Sequence, residues 1–274
     1  MFTVNPFAGL GGTVSPAFMQ VYVLVMLLAV VAGTLFDVIH KGSARYFFAN
    51  MGRARAKAKK QVGGGELVGI AVQTAVVDVL ASGEFCNPRR RVAHLLGMYG
   101  FIFYVFSTLV LVFRPETSGM VAQLWWLGAA MICVGGYWFW FFIRVDVAAE
   151  GKSPLRLMKA DLFILSLLAS ATLGILWAWS QAAGSPGSGT MFWLYLLATT
   201  VLFCGVPWSK FAHMFFKPAA AFEKRVAQAD GTAENLPTLS RDDPEQQKRH
   251  SMELLQKAPM DMGLGIKREA PRHY

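Results

Sequence analysis

Two histidines, His94 in RRRVAHLLGMYGF and His213 in PWSKFAHMFFKP, each stand at the end of a long apolar segment. Neutral imidazole is a transition-metal ligand and the side chain most easily titrated near neutral pH. Two imidazoles facing each other between helices form the axial pair of a six-coordinate b-type haem iron. No third histidine lies within an apolar run. The plain alternative for either residue is a polar tip at the headgroup level. Matched depth on two separate segments weighs against that alternative, because polar groups within a membrane are costly unless used.

Other groups at the same end could serve the same chemistry. Arg91 and Lys210 lie within reach of haem propionates, although the charge rule for membrane topology would also put them there. Asp37, His40 and Lys41 end the first apolar segment and could form a quinone and proton-handling site. A solvated helix end is the simpler reading of that trio. His40 could also replace either ligand. Cys86, Cys133 and Cys204 are isolated in sequence, so no iron–sulfur or zinc motif is present.

The elements that must position these residues are apolar helices. The chain has 274 residues, 54% of them hydrophobic, with its charges mostly confined between apolar blocks. A crossing needs about 20 apolar residues, and the windows 18–39, 92–113, 121–143, 162–182 and 192–215 meet that need. The expected fold is all-α: an integral membrane bundle of five transmembrane helices over residues 1–225, with 226–274 a mixed-charge cytoplasmic tail unable to bury a core. Lys and Arg are absent from the first seventeen residues and from 180–191, whereas ten lie in the connection 41–91. Positive charge collects inside, so the N-terminus is expected outside and the C-terminus in the cytoplasm. The setting implied is a bacterial inner membrane, with a lipid bilayer as partner. The net charge of +9 then reflects topology and no nucleic acid is expected. Residues before the first span do not read as a cleaved leader.

Within the connection 41–91, Arg53–Lys60 reads as a basic helical stretch and Gly63–Gly65 as a break. Residues 67–80 read as an interfacial or partner-docking helix, too short to cross. The loop and tail together are expected to hold a soluble partner. Pro207 should bend the last span before His213. Gly97 and Gly100, beyond His94, would let a porphyrin or simply another helix come close.

On these residues the chain resembles the nitrate reductase gamma-subunit superfamily, which includes heterodisulfide reductase cytochrome b and the membrane subunit of quinone-interacting oxidoreductases. VLASGEFCNPRRRVAHLLGMYGF and PWSKFAHMFFKP are the specific parts of the resemblance, and His94 and His213 match that family's inner haem pair. Two-haem members carry a second pair about ten residues further into helix two and about eighteen residues earlier in helix five, about 27 Å of helix. Tyr104 and Tyr195 stand there instead, which leaves the outer haem without ligands. The ferredoxin-like domain of the sulfate-reducer subunit is also missing. Among branches, the chain is most similar to membrane anchors associated with dissimilatory adenylylsulfate reductase. The resemblance implies a subunit with no complete active site of its own. It would pass electrons between a cytoplasmic flavin and iron–sulfur oxidoreductase and the quinone pool, through one inner haem b. With no outer relay, quinone is expected in the inner half, near Asp37–Lys41, with protons exchanged on the cytoplasmic side. A haem-free anchor that docks the enzyme and binds quinone is the competing expectation.

Overall fold

The computed structural model describes residues 1–41, 43–117, 119–146, 151–209, 213–232 and 243–245. Among them the regular structure is helical throughout. The elements are α1 (Pro16–Lys41), α2 (Ser43–Ala56), α3 (Gly64–Gln73), α4 (Pro88–Phe113), α5 (Gly119–Trp138), α6 (Leu162–Ala182), α7 (Ser188–Cys204) and α8 (His213–Ala229). α3 continues into a wider π turn over Thr74–Leu80, and α5 into another over Phe139–Ile143.

Among the described residues, four helical stretches are long and apolar enough to cross a membrane: Pro16–His40, Pro88–Phe113, Gly119–Ile143 and Lys159–Ala182. α7 is shorter, at 17 residues, about 25 Å at 1.5 Å per residue. Helix packing alternates direction. Gly135 of α5 meets Ala93 of α4, and Gly128 meets Gly100, so those two run antiparallel. Trp177 of α6 packs on Phe192 of α7, and Ser170 bonds Thr199. α1 runs parallel to α7: Tyr22 bonds the Leu196 carbonyl, and Gly33 lies against Val206 further along both.

Two close approaches need glycine. A Cβ at Gly128 would meet the Tyr104 nitrogen at 2.7 Å and the Gly100 oxygen at 2.8 Å, so these helices touch backbone to backbone. Gly100 therefore serves helix packing, while a Cβ at Gly97 would meet nothing. The core between the helices is aromatic, with Trp125, Trp177 and Phe192 fully buried. The N-terminal segment closes one end of the bundle. Asn5 donates to the Leu111 carbonyl at 2.9 Å, Gln181 donates to that of Pro6 at 2.6 Å, and Phe7 packs on Trp125 and Trp177.

Several boundaries differ from the sequence reading. α7 ends at Cys204, and Val206–Trp208 form a 3₁₀ turn instead of a bent continuation to Phe215. Pro207 has no N–H to offer the ladder, which ends with the Gly205 N–H on the Val201 carbonyl. His213 consequently begins a separate helix; it does not close the fifth span. The basic stretch is helical only to Ala56. Lys59 and Lys60 follow in a turn whose backbone N–H groups donate to the Asp230 carbonyl at 3.0 and 3.1 Å. Gly64 and Gly65 belong to the first turn of α3, which begins before residue 67. The helical part of the chain also reaches past 225, because Val226 is packed and α8 runs to Ala229. Most of the remaining tail lies outside the described residues.

Candidate functional site

His94 sits in the second turn of α4. Pro88 supplies the preset φ of a first helical residue, and the Asn87 side-chain oxygen accepts from the Arg89 and Arg90 N–H groups at 2.9 and 3.4 Å. Three arginines in this first turn face the positive end of the helix dipole, an unfavourable place for cations. Arg91 is held by its neighbours: its Nε donates to the Ala81 carbonyl at 2.8 Å. Arg90 lies over the Phe85 ring at 5.7 Å.

The imidazole is oriented by the loop that precedes α4. The Ser82 hydroxyl lies 3.0 Å from His94 Nδ1, and the Phe85 ring centroid is 4.8 Å from that of the imidazole. Ser82 is buried and has φ of 49°, which among the described residues no other non-glycine shares in sign. This is the left-handed position after a helix C-terminus, where glycine is the usual occupant. A serine there accepts strain of about 1–2 kcal/mol and places a hydroxyl against the histidine.

α8 meets the same loop. Lys217, one turn after His213, pairs with Glu84 at 3.0 Å and lies over Phe85 at 4.9 Å. Further along, Arg225 grips Asp78 with two hydrogen bonds of 2.5 and 2.8 Å, and Arg55 approaches Glu223 at 3.7 Å. Burial pushes the Glu223 carboxyl up, against the opposing pull of Arg55. The Asp78 carboxylate raises the Arg225 guanidinium. Both histidine-bearing helices are thus fixed to the segment 78–85. Lys210 and the side chains of His213 and Lys41 lie outside the described residues.

Asp37 and His40 differ in exposure. Asp37 is buried one turn beyond Gly33, which touches Val206 and Pro207. His40 is exposed and stacked on Phe36 at 5.0 Å. A cleft of about 50 Å³ lies elsewhere, between α1, α4 and α7 with α6 behind. Met19 to Leu27 of α1, Tyr104 and Thr108 of α4, and Tyr195 and Thr199 of α7 line it. It follows the half of α1 remote from Asp37–Lys41.

Tyr104 and Tyr195 both line that cleft, and the Tyr104 hydroxyl donates to the Ser170 carbonyl at 3.4 Å. Tyr195 stacks on Trp177 at 5.4 Å and 8°, and Tyr104 packs on Trp125 at 5.1 Å. A Cβ at Gly174 would come within 2.4 Å of the Tyr104 oxygen, so that phenol fits only beside glycine. Aromatic side chains fill the space between the helices at this level.

Reading the sequence also missed a buried ion pair at the basic end. Arg144 is fully buried; its Nη2 meets Asp161 at 2.6 Å and the Arg156 carbonyl at 2.7 Å, and Nη1 meets the Ser153 carbonyl at 2.8 Å. Its guanidinium lies 4.0 Å over Trp140. In sequence Arg144 counts only as one more inside cation, with no local cue to its partner 17 residues on.

Compared with protein-family models, with characterised proteins and with solved structures, the chain matches none. The helices themselves define the class: an all-helical, multi-pass membrane protein.

Proposed function

We propose that this protein is the membrane subunit of an oxidoreductase complex, moving electrons between a soluble flavin and iron–sulfur enzyme and membrane quinone. In this reading α7 makes the fifth crossing, the basic end faces the cytoplasm, and the membrane is the bacterial inner one. The observation that carries the reading is the Ser82–His94 contact. A buried hydroxyl on Nδ1 orients the ring, the kind of partner expected beside an axial ligand. α8, which bears His213, is tied to the same loop through Lys217. His94 and His213 would hold one haem b, with Arg91 and Lys210 near its propionates. Such a haem supplies reversible one-electron transfer.

The cleft beside Tyr104 is the place we assign to the quinone, in preference to Asp37–Lys41. Its lining is mostly apolar with a few hydroxyls, those of Tyr104, Thr108, Tyr195 and Thr199, the composition expected of a small-molecule site. The exposed cations Arg53, Lys57 and Arg89 and the chain after Phe216 would meet the soluble enzyme. A second reading, a haem-free anchor, is favoured by one contact: Phe85 already covers part of the His94 ring. A reduced-minus-oxidised spectrum of the purified protein separates the two. We expect about one low-spin haem b per chain, lost in His94→Ala and in His213→Ala. Absence of haem selects the anchor, and a haem surviving both substitutions refutes the ligand assignment.

A further inference from the structure

The helix Gly64–Leu80 carries an apolar row that no part of the described protein covers. Val68, Val72, Val76 and Leu80 are 65%, 58%, 52% and 51% exposed, while Ile70 and Thr74 on the other side are buried. Every fourth residue of an α-helix drifts about 40° around the axis. The π turn from Thr74 to Leu80 holds more residues per turn and cancels that drift, keeping the row straight. We infer that this row lies in the acyl chains of the leaflet at the basic end of the bundle, so that the helix is a lipid-seated brace and not a protein-docking surface.

Three observations point to lipid. First, the helix end is level with a membrane span. Tyr99, within the span Pro88–Phe113, donates to the Leu80 carbonyl at 2.8 Å. The exposed Val92, Ile102 and Phe106 of that span extend the same apolar surface. Second, the end of the helix is satisfied without water. The carbonyls of Val76, Val77 and Val79 accept from Ala81, Gly83 and Ser82, and that of Ala81 accepts from Arg91. A helix end in hydrocarbon needs such internal partners. Third, the charges are arranged for an interface. Both carboxylates of the helix are paired, Asp78 with Arg225 and Glu66 with Lys60. The inference rests on membrane placement alone and is independent of haem or quinone.

Site-directed spin labelling of the full chain tests it, on a cysteine-free background in phosphatidylethanolamine and phosphatidylglycerol vesicles. Labels at Val68→Cys, Val72→Cys and Val76→Cys should be relaxed several-fold more by oxygen than by a water-soluble nickel chelate, matching Ile102→Cys. Lys57→Cys should show the reverse. Nickel-dominated relaxation along the row would place it in water and overturn the inference. Protection from both reagents would mean a protein cover and overturn it equally. If a cysteine variant fails to accumulate, a photoreactive benzoylphenylalanine at position 72 gives the same answer. Cross-links to lipid support the brace, and cross-links to protein refute it.

Discussion

At the scale of residues, Ser82 separates strain from function. Glycine would relax a φ of 49° but remove the hydroxyl facing His94. The relief and the lost hydrogen bond are each about 1 kcal/mol, so they nearly cancel in stability. Ser82→Gly should therefore melt close to the parent protein while, under the proposed ligation by His94, losing haem affinity about 10- to 100-fold, as for removal of a ligand's hydrogen-bond partner. Haem retention during dilution, measured beside thermal unfolding, checks both halves. Arg144 offers a purely structural contrast. Replacing it with Met leaves Asp161 buried without its cation and should destabilise by about 3–5 kcal/mol, whereas exchanging both residues for apolar ones should recover most of that loss. Unfolding in detergent measures the difference.

At the scale of elements, α8 is held against the segment 78–85 by charged side chains, with Ala221 and Val226 buried along the same helix. Asp78→Asn and Arg225→Met should show a coupling of about 1–3 kcal/mol in a double-mutant cycle. Glu223 adds a pH dependence. Its folded pKa is raised by burial, so the protonated acid is favoured in the folded state. Its contribution is then fully present below the ordinary carboxylate range and lost as pH rises through the raised value. Docking of α8 should loosen over that rise, and Glu223→Gln should remove the dependence. Protease cleavage near Ala229, followed against pH, reads it directly.

At the scale of the whole molecule, the cleft and the His94 loop occupy different parts of the bundle and can be disabled separately. Val105 lines the cleft. Val105→Trp should fill it and cut quinone-dependent turnover about tenfold, equivalent to about 1.4 kcal/mol of binding, with the haem spectrum unchanged. Loss of both signals together would show that the two regions are not independent. Equal turnover would place quinone elsewhere, with Asp37–Lys41 the next site to test.

Much of the architecture is legible in the chain because long apolar runs must bury or satisfy every backbone group, and the helix does so locally. Pro88 after Asn87 marks the start of α4 in sequence for the same local reason. Where α7 ends was not legible. Pro207 announces a disturbance, but whether it bends or ends the helix depends on Val206 packing against Gly33 of α1. The histidines stand out because imidazole is rare in apolar segments. Their surroundings do not, since Ser82 reaches His94 only after a left-handed turn, and Arg144 finds Asp161 only when two helices are laid side by side. The tyrosines at 104 and 195 read as missing ligands in sequence. Their packing on Trp125 and Trp177, the glycine beside Tyr104 and the cleft they line come from contacts between α4, α5, α6 and α7. Local chemistry determined which segments are helices and which residues could react; long-range packing decided which of those residues meet.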